Sequence, residues 1–327
     1  LSKHFARTTP SLIELKALQK KMVEKGAFAC KIVCFANKFS DNLTTLTLVK
    51  ESKTPLVSFC MGEFGVISRI LSPNFGALFT FASLNAENAI ASGQVPAAEL
   101  RMAYEGLGEN AGADKLCPVI GDPVAHSISP QMHNAGYAQM KIGYYYFKQR
   151  VSAKLLEDFV STAKELGIAG FQVTIPHKTS IIRHLDELDE SVKKIGAVNT
   201  VVVKNGLSKG YNTDWSGAID SIKQGIASLR GKNALVIGAG GAARAIVYGL
   251  KKEGANVVIA NRTREKAVEL AKEFGCRAIE FEKVRDCTKI KPKPDVIINA
   301  TSIGLREWQT PVEKFPENAL AFDVVYS

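Results

Sequence analysis

Gly238 and Gly240 constrain this chain more than any other residues. They end one apolar run and open a helix within LVIGAGGAARAIVYGLKKEGANVVIANRT, Leu235 to Thr263. Ala234–Ile237 reads as a short buried strand. Gly238, Gly240 and Ala243 then follow the G-x-G-x-x-G/A spacing at a strand-to-helix junction. The first glycine permits a tight turn. The second lets backbone N–H groups approach a pyrophosphate, and the small third residue lets the helix lie close on the strand. Val257–Ala260 supplies a second strand, so the spacing sits in the βαβ context that a dinucleotide site requires. The competing reading is a purely structural turn.

The tip of that second strand selects the nucleotide. An Asp or Glu there bonds the ribose 2′-OH of NAD. This chain has Asn261 and Arg262 instead, with Arg264 and Lys266 close behind. A carboxylate repels a 2′-phosphate, whereas a guanidinium grips it in a fork. The expected cofactor is NADP(H), against the alternative of a solvated basic helix start.

With 327 residues the chain can form two or three domains with their own cores. Hydrophobic residues make up 46%, but no apolar run approaches about twenty residues, which points to a soluble globular protein with no membrane partner. The formal charge is +10. Lys and Arg are scattered and often sit beside Glu, with no basic block interleaved with aromatics, so anionic small molecules explain the balance better than nucleic acid. Cys30, Cys34, Cys60, Cys117, Cys276 and Cys287 lack metal or disulfide spacing. No metal is expected, and the setting is a reducing compartment. The chain begins at Leu1 rather than Met and stops at Ser327, just after the strand-like Ala321–Val325. The expectation is a piece cut within domains at both ends, with any targeting segment lost.

Glu105–Lys115 (EGLGENAGADK) reads as a linker. Before it, Ser11 caps a helix running to about Glu24, and strands at Lys31–Phe35, Leu56–Cys60 and Ala77–Ala82 alternate with helices at Asn42–Lys50, Gly65–Leu71 and Ala97–Tyr104. Such alternation implies parallel strands. After the linker come a strand at Leu116–Gly121, a helix near Pro130–Gln139, a strand in GYYYFKQRV, a helix at Leu155–Glu165 and a strand ending in GFQVTIPHK. A helix from about Ser191, the hairpin AVNTVVVKNG and a linking helix near Trp215–Leu229 complete the middle region.

Four stretches there place polar groups at the ends of apolar strands, where open α/β sheets hold ligands. DPVAHSISPQMHN carries Ser127 and Ser129, VTIPHK carries Lys178, IGAVNT carries Asn199, and GYNTD carries Thr213 and Asp214. Taken singly, the serines are helix caps, the lysine a solvated strand end, Asn199 a turn residue and Asp214 a cap. Together, HSISPQMHN, VTIPHK, GAVNT and NTD, followed by GAGGAARA, NRT and NATSIG, resemble the shikimate dehydrogenase family in order and spacing from about Lys115 to Ser327.

That resemblance implies reduction of 3-dehydroshikimate to shikimate by NADPH. It makes Lys178 the catalytic lysine and Asp214 its partner. An ammonium beside a ketone can polarise it and donate the proton, while a carboxylate orients the lysine and bonds a ring hydroxyl. Ser127 and Ser129 match the hydroxyls that bind the substrate carboxylate. Thr174, Asn199 and Thr213 join the substrate-facing set, and Tyr326 matches a tyrosine near the carboxylate. His177 is kept out of the base role, since chain neighbours leaving a strand point different ways. The implied cofactor set is Gly238, Ala239, Gly240, Gly241 and Ala242 in the loop, Asn261, Arg262, Thr263 and Lys266 at the second strand, and Asn299 and Thr301 in NATSIG. The family continues past DVVY into more sheet and a last helix with a substrate-contacting Gln, which this sequence does not carry.

The first hundred residues also hold placed polar groups: His4 in SKHFARTTPS, Lys31 in CKIVCF, Arg69 in GVISR and Gln94 in SGQ. Their order resembles the C-terminal part of type I 3-dehydroquinate dehydratase, a (β/α)8 barrel, fused as in the plant-type bifunctional dehydratase–dehydrogenase. The resemblance implies that Lys31 forms a Schiff base with 3-dehydroquinate, its apolar neighbours Cys30, Ile32 and Val33 keeping water off the amine. His4 would then remove the acidified proton, Arg69 bind the carboxylate and Gln94 sit on the lid loop. A closed barrel needs eight strands. Three are read after His4, plus the stub before it, so the dehydratase site is expected to be recognisable but incompetent.

The expected architecture is α/β. A partial barrel over residues 1–106 precedes a substrate domain over 115–214 and a C-terminally truncated Rossmann NADP domain over 215–327. Competing readings are a quinate-preferring relative, disfavoured because quinate's extra hydroxyl needs room that Ser129 fills, and a catalytically inactive NADP-binding fragment. The full-length fusion is expected to be monomeric, in the plastid stroma if from a plant and otherwise cytoplasmic.

Overall fold

The computed structural model describes residues 1–85, 87–107, 112–304 and 309–325. In chain order these form β1 (Ser2–His4), α1 (Leu12–Glu24), β2 (Cys30–Phe35), α2 (Asp41–Glu51), β3 (Leu56–Met61), α3 (Val66–Leu71), α4 (Ala97–Leu107), β4 (Leu116–Gly121), α5 (Ser129–Met140), β5 (Tyr145–Arg150), α6 (Leu156–Leu166), β6 (Gly170–Val173) and α7 (His177–Ser180). They continue through β7 (Glu187–Leu188), α8 (Glu190–Ile195), β8 (Thr200–Lys204), β9 (Leu207–Tyr211), α9 (Asp214–Lys223), β10 (Asn233–Ile237), α10 (Gly241–Lys252), β11 (Asn256–Ala260), α11 (Arg264–Phe274), β12 (Arg277–Ile279), β13 (Val296–Asn299) and β14 (Leu320–Asp323). The chain divides into two compact units, one of residues 1–187 with 200–209, the other of residues 188–199 with 210–327.

The first unit begins with three parallel strands in the order β1-β2-β3. Side chains alternate between the faces of a strand. Cys30, Ile32 and Cys34 of β2 and Leu56 and Cys60 of β3 pack with Leu15 and Met22 of α1 and Leu48 and Val49 of α2. Ser11 starts α1 with a capping box, its hydroxyl accepting from Glu14 N at 3.3 Å while Glu14 Oε2 accepts from Ser11 N at 2.9 Å. The opposite face carries Val33, Val57 and Phe59. Two strands follow β1 here, not three. Residues 77–82 form no strand: Leu78 N donates to Leu56 O at 2.9 Å, but further along two carbonyls are taken by side chains. Arg69 Nη1 donates to Phe81 O at 3.1 Å and Gln94 Nε2 to Ala82 O at 3.2 Å.

The same unit continues into a mixed sheet of order β5-β4-β6-β8-β9-β7. β4 pairs parallel to both β5 and β6, and β6 antiparallel to β8. The chain order therefore reverses at β4, and the loops leaving β4 and β6 flank that switch point, where such sheets hold ligands. Asn134 of α5 clamps edge strand β5, its amide exchanging two 2.8 Å hydrogen bonds with the Tyr146 backbone.

The second unit is built on a fully parallel sheet of order β12-β11-β10-β13-β14. Its core joins Val236, Ile259 and Ile298 to Ile246, Val247 and Leu250 of α10 and Leu270 of α11. Each such fully buried aliphatic chain contributes roughly 1.5–3 kcal/mol. The helix α9 stops at Lys223 rather than near Leu229. Gly225 follows, where a Cβ would lie 2.7 Å from the Leu320 side chain.

Candidate active site

In the second unit the loops after β10 and β13 flank the switch point of the parallel sheet. They approach so closely that a Cβ on Gly238 would lie 2.8 Å from Ala300 O, and Gly238 has a φ of +124°, which an L side chain rarely adopts. Gly240 is exposed, and a Cβ there would meet nothing within 4 Å. No side chain caps the following helix, so the first N–H groups of α10, from Gly241 and Ala242, remain open to a ligand. Ala239 lies between the two glycines, packed against the core. A helix start with free amides and room in front of it fits a pyrophosphate.

At the tip of β11, Asn261 Nδ2 donates to Thr263 O at 2.9 Å, fixing the turn into α11. Arg262 and Lys266 are exposed, and neither makes an ion pair among the described residues. Asn299, at the end of β13, is committed to the protein. Its Nδ2 donates to both Asp323 carboxylate oxygens at 3.1 and 3.0 Å, and its Oδ1 accepts from Thr301 N and Oγ1 at 3.1 and 2.7 Å. Asn299 thus shapes the loop that Thr301 lines.

This unit also carries Asn199, Thr213 and Asp214. Asn199 Nδ2 donates to Thr213 Oγ1 and to Asp214 Oδ1, each at 2.8 Å, and its Oδ1 accepts from Thr213 N at 2.9 Å. Asn212, which the motif reading passed over, is buried and completes the knot. Its Oδ1 accepts from Asp214 N at 3.0 Å and its Nδ2 donates to Ala197 O at 2.9 Å. Its position beside Thr213 in GYNTD was the only signal available.

The first unit holds the serines and the lysine. Ser127 Oγ donates to Ser129 Oγ at 3.0 Å and accepts from Ser129 N at 3.3 Å, setting two partly exposed hydroxyls side by side at the start of α5. Gly121 ends β4 against the end of β6; a Cβ there would lie 2.5 Å from Thr174 Cγ2. Thr174 N donates to Ile120 O at 2.9 Å. Lys178 is not at a strand end as expected. β6 ends at Val173, Pro176 has no N–H to extend a ladder, and Lys178 rides on the short helix α7. His177 beside it is fully buried, its Nε2 2.6 Å from Val151 O, whereas Lys178 is partly exposed.

At the front of the same unit the register Ser2↔Lys31 and His4↔Val33 puts His4 and Lys31 on one face of the small sheet, with Phe59 paired to Val33. Lys31 Nζ lies 3.9 Å above the Phe81 ring. Arg69 is fully buried against Phe59, 4.4 Å from its centroid, and its Nε and Nη2 have no hydrogen-bond partner. Burial pulls the guanidinium down to about 10, so it stays protonated at neutral pH. Burial, then the charge of Lys31, lowers His4 below the ordinary imidazole value. Gln94 is spent within its own loop, accepting from Ile90 N at 2.9 Å as well as donating to Ala82 O. Tyr326 lies outside the described residues.

The parallel sheet, its glycine loop and open helix start define a dinucleotide-binding protein of the doubly wound α/β class. Comparison with known families agrees. Residues 119–201 match the shikimate dehydrogenase substrate binding domain, residues 220–306 the shikimate / quinate 5-dehydrogenase family, and residues 1–111 the type I 3-dehydroquinase family. A shikimate dehydrogenase (NADP(+)) of Nitrosopumilus maritimus is 43% identical over 65% of this chain and 80% of its own length. The chloroplastic bifunctional 3-dehydroquinate dehydratase/shikimate dehydrogenase of Arabidopsis thaliana is 35% identical over 100% of this chain, which spans 57% of that relative. The crystal structure of the Thermus thermophilus shikimate 5-dehydrogenase in complex with NADP(H) and shikimate, 36% identical, superposes with a TM-score of 0.58 over 64% of this chain and 78% of its own. The chain belongs to the shikimate dehydrogenase family, and a type I 3-dehydroquinase segment precedes its dehydrogenase region.

Proposed function

We propose that the chain reduces 3-dehydroshikimate to shikimate with NADPH, and that residues 1–106, 115–214 and 215–327 are its dehydratase, substrate and nucleotide segments. The observation that carries this reading is the Ser127–Ser129 hydroxyl pair at the switch point of the substrate sheet, a shape and chemistry suited to a carboxylate on a hydroxylated ring. The α10 amides and Gly240 would hold the pyrophosphate of NADPH and Arg262 its 2′-phosphate, and the bound cofactor would supply the hydride that the ketone carbon gains. Lys178 donates the proton that the ketone oxygen gains, and its charge stabilises that oxygen as electrons move onto it. Asp214, held by Asn199, accepts from a ring hydroxyl, and Thr174 and Thr213 are assigned to the substrate-facing residues of their own units.

In the dehydratase segment the proposed roles are a Schiff base at Lys31, proton abstraction by a neutral His4 and carboxylate binding by the buried Arg69. Three strands are described where a closed barrel has eight, and Phe81 lies over Lys31. No helix among the described residues is long and apolar enough to cross a membrane. The Arabidopsis relative is named chloroplastic, so a plastid is the proposed compartment for a plant chain and the cytoplasm otherwise. Shikimate-dependent reduction of NADP+, run beside quinate and beside NAD+, tests the reading. Preference for quinate or for NAD+ contradicts it.

A further inference from the structure

We infer that the dehydratase segment positions the substrate loops of the dehydrogenase through Glu63 and Arg150, a role that rests on the functional reading above. Both residues belong to the first unit. Glu63 follows β3 in a turn that cannot shift freely. Gly62 has a φ of +89° and donates from its N–H to Ser92 O at 2.9 Å, and a Cβ on Gly93 would lie 2.1 Å from Gly62 O. That side of the turn is locked against the loop carrying Gln94.

The other side reaches β5. Arg150 Nη1 lies 3.3 Å from Glu63 Oε2, and the buried Gln149 donates from Nε2 to Glu63 O at 3.2 Å. Arg150 Nε donates in turn to Asp122 Oδ1 at 2.7 Å, so one guanidinium is forked between two carboxylates. Asp122 opens the loop that leads to Ser127 and Ser129. Val151, the next residue after Arg150, donates from its N–H to Gly121 O at 3.1 Å and offers its carbonyl to His177, the neighbour of Lys178. The end of β5 thus grips the serine loop on one side and the lysine helix on the other, and Glu63 grips the end of β5.

A second anchor makes this join part of the fold. Asp158, in the first turn of α6, accepts from Phe39 N at 2.6 Å, Ser40 N at 3.2 Å and Ser40 Oγ at 2.7 Å just before α2. Phe39 packs edge-on against Phe159 with ring centroids 5.1 Å apart. Arg150 is 53% exposed, so its pairing with Glu63 adds little to stability by itself. Its effect falls on the geometry of the loops that Arg150 restrains.

Steady-state kinetics of the full chain with shikimate and NADP+, beside thermal unfolding, test this. Glu63→Gln raises KM for shikimate about threefold. Arg150→Met raises it about tenfold, because Asp122 also loses its donor, and Arg150→Lys recovers part of the loss. KM for NADP+ and kcat stay unchanged. An active wild type whose Glu63→Gln and Arg150→Met variants keep its KM for shikimate overturns the inference. So does a uniform change of every parameter together with the melting temperature. A wild type that neither turns over nor binds shikimate overturns the functional reading, and the inference with it.

Discussion

Asn199 donates to Asp214 across 2.8 Å, and that same amide nitrogen also reaches Thr213. The side chain is 9% exposed and its oxygen is taken by Thr213 N. It therefore acts by fixing the direction of the carboxylate. Asn199→Ala leaves the part-buried Thr213 N–H without its acceptor, at a cost of about 0.5–1.5 kcal/mol. The expected outcome is a lower melting temperature and a kcat/KM for shikimate reduced on the order of tenfold or more. Asn199→Asp is worse, because it sets a second carboxylate against Asp214. A kcat/KM unchanged in both variants contradicts this role.

Arg262 is exposed and makes no ion pair among the described residues, which leaves its guanidinium available for a 2′-phosphate. Arg262→Glu replaces that fork with a charge that repels the phosphate and can accept from a ribose hydroxyl. The ratio of kcat/KM for NADP+ to that for NAD+ falls by roughly a hundredfold, about 3 kcal/mol for a charge-assisted pair. A ratio that does not move places the 2′-phosphate elsewhere.

His4 titrates below the ordinary imidazole value because of burial and then the Lys31 charge. The unfolded chain takes up this proton first, so the stability linked to it is present above the unfolded value and is lost as pH falls below it. It also leaves His4 neutral near pH 7, the state a proton acceptor needs. Lys31→Met removes one of the two causes and raises the His4 pKa in an NMR titration. No change in that titration contradicts the pairing of the two side chains on one face.

Asp186 accepts from Lys164 Nζ at 2.8 Å and from Ser208 N and Oγ at 2.7 Å each, which holds its carboxyl at about 2. Its folded value is below its unfolded one, so its contribution is complete above about pH 5 and is lost as pH falls toward 2. Asp186→Asn lowers the melting temperature at pH 7 by an amount that shrinks over that window. A difference that persists at the acid end contradicts the assignment.

The legible parts of this fold were local ones. The Gly238–Ala243 turn, the Ser11 cap and the strand Leu116–Gly121 depend on residues a few positions apart, and the structure has them where the pattern puts them. What failed depended on distant partners. The apolar run 77–82 reads as a strand, but Arg69 and Gln94 take its Phe81 and Ala82 carbonyls, and Phe81 lies over Lys31. Lys178 follows an apolar strand in the sequence, yet Pro176 turns the chain first. Asp158 and Glu63 gave no signal, since each acts on backbone or side chains more than eighty residues away. Asn212 was hidden for a related reason, because its carbonyl partner Ala197 lies across a hairpin.

The central claim is that Lys178 protonates the ketone of 3-dehydroshikimate while NADPH is consumed. The measurement that meets it most directly is NADPH oxidation with 3-dehydroshikimate by the wild-type chain and by Lys178→Ala, with NADPH binding measured on both. The account predicts turnover by the wild type, a loss on the order of 10²–10⁴ in kcat for the variant, and unchanged NADPH affinity. Lys178→Ala that turns over at the wild-type rate, or a wild type that binds NADPH and leaves 3-dehydroshikimate unreduced, would contradict it.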